Sequence, residues 1–241
     1  MIDGYRLHHF ETLDSTNDRA KQMARDGASA GHVIIADQQT KGRGRQGNQW
    51  HSPQGNLYMS VILRETVGAI NAGQLSFLSA VALADVVAPL LKQGLKVEQK
   101  WPNDVWISGQ KLAGILLESE GGQDSTLEWI VMGIGVNIVT APEGAVSLQH
   151  SCDDIIETID LGRLFINSLE TRLSQWRKNG FAGIRDAWLE NARGLGTAIT
   201  VRLPNQEFSG VFQTVDEQGC LMLELSNGAL KKIASGDVFF S

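Results

Sequence analysis

Between Gln74 and Lys92 the chain reads QLSFLSAVALADVVAPLLK, apolar around much of its circumference at helical period. That pattern predicts a helix packed deep against a sheet, kinked or shortened by Pro89. On either side the texture fits strands better. HVIIADQQT, from His32, predicts a buried strand, and NLYMSVILR, from Asn56, alternates and predicts a second. LKVEQKWPND predicts a strand closed by a turn at Pro102, Asn103 and Asp104. VWIS, Gly109-Gln110 and KLAGILLESE predict a hairpin, and STLEWIVMGIGVNIV predicts a strand after a turn at Gly121-Gly122. Ahead of these, apolar character around Phe10 and Leu13 leads into DSTNDRAKQMARDG. There Ser15 is placed to cap a helix, Asp18 holds the capping-box position, and Gly27 is placed to stop it.

Residues 141–160 predict an irregular connection. Two helices follow, one near 160–178 with Leu161, Leu164, Phe165, Leu169 and Trp176 on one face, the other near 181–191. From Ala198 the pattern becomes short apolar runs between polar turns, AITVRL, FSGVFQTV, CLMLEL and LKKIA among them. Five short strands in about 45 residues predict a small SH3-like barrel.

At 241 residues the chain suits one large domain plus a small one. No apolar run approaches the roughly 18 residues of a membrane span, and the N-terminus lacks the apolar core of a signal peptide. Cys152 and Cys220 stand far apart without metal-like spacing, which predicts a reducing cytoplasm. His8, His9, His32, His51 and His150 show no ligand spacing either. A net charge of −6 and a pI near 5.4 argue against a nucleic-acid partner.

Against that acidic background TKGRGRQGNQW is anomalous, with Lys41, Arg43 and Arg45 set among Gly42, Gly44 and Gly47. Glycines let backbone N–H groups approach a ligand, arginine grips carboxylate or phosphate with two parallel donors, and Trp50 supplies an apolar wall. The alternatives are a solvated basic hairpin or a nucleic-acid contact. No Walker A frame fits. In QKWPND, Lys100 ends an apolar strand, where a cation would offset charge developing on an acyl or phosphoryl oxygen. Asn103 and Asp104 would hold polar groups of a nucleotide, or Mg²⁺ through water. A plain turn explains the same residues. Gly114, Gly133 and Gly135 lie inside apolar strands, where glycine weakens a strand unless a ligand or another backbone comes close. Bulges or tight sheet packing are the other reading. GIGVNI ends a strand, so it is not a dinucleotide fingerprint.

In this order, DSTN, QTKGRGRQGNQW, KWPND, KLAGILLE and GIGVN resemble the biotin protein ligases, from about Phe10 to Asn137, and the C-terminal barrel fits that family too. The resemblance implies an α/β (α+β) catalytic domain related to class II aminoacyl-tRNA synthetases and lipoate ligases, residues 1–192. An SH3-like domain would follow, residues 193–241. The implied reaction makes biotinyl-adenylate from biotin and ATP, then passes the biotinyl group to a lysine of a biotin carboxyl carrier domain. Mg²⁺ accompanies the ATP, with no metal ligands assigned in the protein. By the same resemblance Ser15, Thr16 and Asn17 read the ureido head of biotin. Gln39, Arg43 and Gly44 line its channel, and Gly114, Gly133 and Gly135 give its rings room. Arg45 and Lys100 stand at the carboxylate–phosphate junction as catalytic cations. Trp50, Asn103, Lys111 and Asn137 face the nucleotide, together with Arg45.

One position departs from the family's usual GRGRxGRxW. Asn48 replaces an arginine, removing a cation that Lys41 would have to replace. The catalytic motifs begin by residue 14, so a helix-turn-helix ahead of them is not expected. The expected protein is a monofunctional cytoplasmic ligase, monomer or homodimer, with no nucleic-acid or membrane partner. The rivals are a lipoate-type ligase of the same fold and a non-catalytic biotin-binding regulator.

Overall fold

A computed structural model describes residues 4–65, 68–121, 126–154 and 156–240. Its centre is a seven-stranded sheet in the order β1-β2-β3-β7-β6-β5-β4. The strands are β1 (Arg6–Leu13), β2 (His32–Gln39), β3 (Leu57–Leu63), β4 (Val97–Lys100), β5 (Asp104–Ile107), β6 (Gln110–Gly121) and β7 (Leu127–Val136). β1 pairs parallel with β2, and the remaining pairs are antiparallel. Of the predicted turn at Gly121-Gly122, Gly121 ends β6 and Gly122 lies outside the described residues.

Helices cover both faces of the sheet. Among the described residues they are α1 (Thr16–Arg25), α2 (Ala69–Ala72), α3 (Gln74–Val87), α4 (Leu148–Ser151), α5 (Thr158–Asn179) and α6 (Ala182–Leu189). α3, α5 and α6 bury one face against Val33, Ile35, Met59, Val61, Met132 and Ile134. α1 lies on the other and packs Ala20 and Ala24 on Ile34, Ile62, Trp129 and Val131. β3 is therefore buried at all seven positions, where alternation had been expected. α3 ends at Val87, and Pro89 sits in a 3₁₀ turn directly after it. Ser15 caps α1 as predicted, its side chain accepting from Asp18 N.

The α5 face differs from the expectation at one residue. Leu161, Phe165, Leu169 and Leu173 are buried, but Leu164 is 45% exposed. The buried arc continues to Gly162 and Ile166, on the side away from Leu164.

The C-terminal unit is an antiparallel sheet in the order β11-β10-β9-β8-β12. Its strands are β8 (Ala198–Leu203), β9 (Gln206–Val215), β10 (Leu221–Glu224), β11 (Leu230–Ile233) and β12 (Asp237–Phe240). Its β9–β10 turn docks on the start of α3 and on the end of β4. Trp101 Nε1 donates to Gly219 O at 2.9 Å, and Gln74 Nε2 donates to Glu217 O at 2.9 Å. Gly219 has φ +80°, and a Cβ there would stand 2.7 Å from the Phe77 ring. Only glycine lets the turn lie this close. The docking carries β12 to the rim of the main cavity.

Candidate functional site

The site occupies the part of the sheet that α1 leaves uncovered. Along β7 the residues facing α1 run Trp129, Val131, Gly133 and Gly135, so large side chains give way to none. Register sets Gly135 beside Gly114 of β6 and Gly133 beside Ser60 of β3. A flat floor results. It encloses a cavity of about 160 Å³, roofed by the glycine-rich loop and closed on one side by Asp237 of β12.

The floor is already in use. A Cβ on Gly133 would overlap Asn17 Oδ1, and one on Gly135 would stand 2.5 Å from Trp50 Nε1. Trp50 also lies against Gly114, with Lys111 Nζ 5.3 Å from the centre of its ring. The room expected for ligand rings therefore holds Asn17 and the Trp50 indole. Trp50 Nε1 is buried with no hydrogen-bond partner among the described residues. A buried N–H left open costs stability unless an acceptor reaches it.

Ser15, Thr16 and Asn17 enter the cavity wall from the start of α1. Gln39 Oε1 accepts from Thr16 N at 2.8 Å and from Thr16 Oγ1 at 3.2 Å, while its Nε2 donates to Ser52 Oγ at 3.0 Å. Ser60 Oγ lies 2.8 Å from Thr16 Oγ1 and 2.6 Å from Asn17 Oδ1. These polar groups are buried and mutually satisfied, which fixes their directions. Gly133→Ala is expected to push Asn17 off Ser60. Because broken buried hydrogen bonds cost about 1–3 kcal/mol, a ligand seated against Asn17 should bind roughly tenfold more weakly or worse. If the resemblance holds, steady-state kinetics should show this in KM for biotin, with KM for ATP nearly unchanged. An unchanged KM for biotin would separate Asn17 from ligand recognition.

The loop from Thr40 to Ser52 is a folded hairpin. Trp50 N donates to Gly42 O at 2.9 Å, and Gly44 N donates to Asn48 O at 2.7 Å. Gln46 and Gly47 turn its tip with φ of 54° and 79°. Its three cations point to different places. Lys41 lies on the exterior, paired with Asp14 at 2.9 Å, so it does not stand in for the arginine that Asn48 replaces. Asn48 itself lines the cavity. Arg43 is held by Glu118 and Asp18, at 2.6 and 2.7 Å. Arg45 reaches into the cavity and donates to Asn103 Oδ1 at 3.0 Å. No carboxylate lies within ion-pair distance of Arg45 among the described residues. Burial lowers its pKa, opposed by Asp237 and Asp104. Arginine stays protonated regardless, so its charge is the one the cavity leaves uncompensated.

Lys100 differs from expectation, whereas Lys111 lies at the site as expected. Lys100 is not among the cavity-lining residues. The β4–β5 register pairs Glu98 with Trp106 and Lys100 with Asp104, so Lys100 shares the sheet face of the cavity and stops beside its lining, at the C-terminal unit. The Lys100 ammonium sits 5.0 Å from the centre of the Trp106 ring and 6.0 Å from that of Phe240. Burial there lowers its pKa. Lys111 of β6 takes the cavity position and pairs with Asp104 at 2.7 Å. Asn103 lines the cavity and donates to Ile115 O at 2.7 Å. Asn137 does not. It lies beyond the end of β7, in an adjoining cavity with His51, Asn56, Thr140 and Pro142.

Four functional neighbours escaped the sequence reading: Ser60, Asp104 as the partner of Lys111, Glu118 and Asp237. Glu118 and Asp237 carry no local signal, since long-range packing brings them in. Ser60 could have been noticed as the single serine in an otherwise apolar and aromatic strand. Burial alone would raise the pKa of Glu118. Hydrogen bonds from Arg43, Lys21 and Asn17 outweigh burial and hold it at about 2. A folded-state pKa below the ordinary 4.5 makes these contacts fully stabilising above that pH and lost as pH falls toward 2.

Residues 9–137 match the model of the biotin/lipoate A/B protein ligase family, and residues 194–241 match that of the biotin protein ligase C-terminal domain. The biotin–[acetyl-CoA-carboxylase] ligase of Paracoccus denitrificans is 36% identical over 240 residues, covering 94% of this chain and 97% of its own length. The bifunctional ligase/repressor BirA of Bacillus subtilis is 33% identical over 246 residues, covering 98% of this chain and 74% of its own. The biotin protein ligase of Aquifex aeolicus in complex with biotin and ATP has the same fold, with a TM-score of 0.79, 24% identity and 97% of each chain covered.

Proposed function

The chain belongs to the biotin/lipoate protein ligase family and acts as a biotin protein ligase, and we propose that it runs both half-reactions in the cavity under the glycine-rich loop. In the first, a carboxylate oxygen of biotin attacks the α-phosphorus of ATP. A P–O bond forms to the acyl oxygen, the bond to the β-phosphate breaks, and pyrophosphate leaves. In the second, the ε-amine of a carrier-domain lysine attacks the acyl carbon. The C–O bond to AMP breaks, an amide forms, and the amine gives up a proton. Neither step needs a protein nucleophile. Both build negative charge on oxygen, which fixed cations and N–H donors stabilise.

The observation that carries this reading is Arg45, a half-buried guanidinium with one neutral acceptor and no ion pair among the described residues. Such a charge is stabilised when an anion arrives. Lys111, also in the cavity wall, supplies the second cation at the carboxylate–phosphate junction, in the role the sequence suggested for Lys100. Ser15, Thr16 and Asn17 face the ureido head, with Gln39 holding Thr16. Trp50, Asn103 and Asn137 serve the nucleotide side. With Trp50 in its slot the cavity is about 160 Å³, below the roughly 300 Å³ of small-molecule pockets. The indole therefore moves when both substrates enter, and its unpartnered N–H is then free to meet an acceptor.

Mg²⁺ enters with the triphosphate. No group of three or more His, Cys, Asp or Glu side chains gathers among the described residues. The carboxylates in the cavity wall are Asp104 and Asp237. Mg²⁺ keeps several waters beside nucleotide phosphates, so these two suit its water shell better than direct ligation. The acceptor is the carrier domain of a biotin-dependent carboxylase, and the catalytic unit ends near residue 192. No helix among the described residues is long and apolar enough to cross a membrane, and a cytoplasmic location fits the free, buried cysteines.

Biotin-dependent ATP–pyrophosphate exchange tests the substrate and the first step together. Exchange is expected with biotin and Mg-ATP and not with lipoate in its place. Exchange driven by lipoate but not biotin would reassign the acid. Binding of biotin without exchange would make the protein a regulator.

A further inference from the structure

The glycine-rich loop is anchored to the rest of the molecule by two arginines that behave differently. Arg45 makes a single hydrogen bond to a neutral amide, which a phosphate can outcompete. Arg43 is committed through both terminal nitrogens, its Nε being buried without a partner among the described residues. It donates Nη1 and Nη2 to Glu118 at 3.1 and 2.6 Å, and Nη2 to Asp18 at 2.7 Å. Glu118, with 22% of its side chain exposed, also accepts from Lys21 Nζ at 2.7 Å and Asn17 Nδ2 at 2.9 Å. One carboxylate on β6 thus ties together the loop, α1 and the sheet.

Resting on the ligase reading above, we propose that Glu118 is a positioning residue that latches the loop over the cavity through Arg43 and orients Asn17. Its contribution is to the residence time of the acyl-adenylate, more than to the rate at which the adenylate forms. Internal hydrogen bonds fix the shape of the loop, and Thr40 and Lys41 tie its base to Leu13 and Asp14. Placement of the tip over the floor depends on Arg43, Arg45 and the Trp50 indole. Ligand entry displaces the indole and recruits Arg45, so the contacts of Arg43 to Glu118 and Asp18 are what remains of the tip's anchorage. It is bidentate, charge-assisted and shielded, the class of ion pair worth more than an exposed one. Donation of Asn17 Nδ2 to Glu118 leaves Oδ1 turned to Ser60 over the Gly133 gap.

The test uses the full chain and four variants: Glu118→Gln, Glu118→Asp, Arg43→Ala and the double variant Glu118→Gln/Arg43→Ala. In the ligand-free protein, amide hydrogen exchange across residues 42–49 should quicken about tenfold in Glu118→Gln, as loss of a charge-assisted bond predicts. With biotin and ATP bound, a chase with excess unlabelled biotin should show adenylate leaving about tenfold faster, while pyrophosphate exchange at saturating biotin and ATP stays within about threefold and KM for biotin rises as Asn17 loses its orientation. Glu118→Asp should recover part of the retention. The double variant should leak far less than the product of the two single effects, because both remove the Arg43–Glu118 contact. Unchanged hydrogen exchange, unchanged release in Glu118→Gln or additive losses in the double variant would each overturn the latch. Should Glu118→Gln fail to fold, unchanged release in folded Arg43→Ala would overturn it equally. A wild type without biotin-dependent exchange would instead overturn the ligase reading, and hydrogen exchange in the free protein would still judge the latch.

Discussion

Lys111→Ala is expected to lower biotin-dependent ATP–pyrophosphate exchange by about 10²–10³, the usual cost of removing one preorganised charge stabiliser. Lys100→Ala is expected to stay within about tenfold and to lose thermal stability instead, since cation–π contacts are worth about 0.5–2 kcal/mol. The contrast follows from which lysine reaches the cavity on the sheet face they share. Lys111 lies in the cavity wall, and the acid it pairs with, Asp104, stands in the same wall. An incoming phosphate would share Lys111 with Asp104, so the ammonium needs no new desolvation when charge develops. Lys100 is turned toward Trp106 and Phe240, across the β4–β5 hairpin. Each variant needs two measurements, exchange and a thermal melt. A large loss of exchange in folded Lys100→Ala, with Lys111→Ala near wild type, would return the catalytic role to the KWPND lysine. That result would mean the cavity rearranges on binding far more than a side-chain movement.

The lysines also show where sequence reasoning reaches its limit. The KWPND turn, the KLAGILLE hairpin and the glycines of GIGVN were all legible, because turn chemistry and two-residue periodicity are local. Which of two lysines faces the cavity was not legible. Strand alternation gives the answer only when the register across β4, β5 and β6 is known, and a bulge between Val105 and Trp106 shifts that register. β1 was read as apolar flanking sequence because it is an edge strand with mixed exposure, paired parallel to a partner 26 residues on. The glycine gaps pointed to close approach of a ligand or another backbone, whereas their occupants are side chains, Asn17 and Trp50, from distant segments. Asp237 enters the cavity from the last strand of the chain, through docking of the β9–β10 turn that no local pattern announces. What was legible was each element's chemistry. What was not legible was which elements meet.

Arg45→Gly is expected to release biotinyl-adenylate far more than it blocks its formation. In the ligand-free protein Arg45 holds only Asn103, so its loss costs the fold little. Its strength appears once an anion is present, when a guanidinium offers two parallel N–H donors that lysine cannot reproduce. Lys111, paired with Asp104, remains in the cavity wall to stabilise the first step, while the roof of the cavity loses its contact with the phosphate. Losing a charge-assisted pair worth about 1.5–3 kcal/mol should speed adenylate release by about 10–100-fold. The released mixed anhydride acylates exposed amines, so an unrelated protein incubated with the variant, biotin and ATP should become biotinylated. A blot for biotin on that bystander reads the leak directly. Equal labelling by variant and wild type, with adenylate still forming, would show that Arg45 does not retain the intermediate. Asn48 sharpens the comparison. It lines the cavity where the resemblance leads one to expect an arginine, and Lys41, paired with Asp14 outside, does not substitute for one. The wild type should therefore leak measurably, and Asn48→Arg should lower that background by supplying a second charge to the phosphate. Undiminished labelling by Asn48→Arg would mean that position 48 touches the cavity wall without reaching the phosphate.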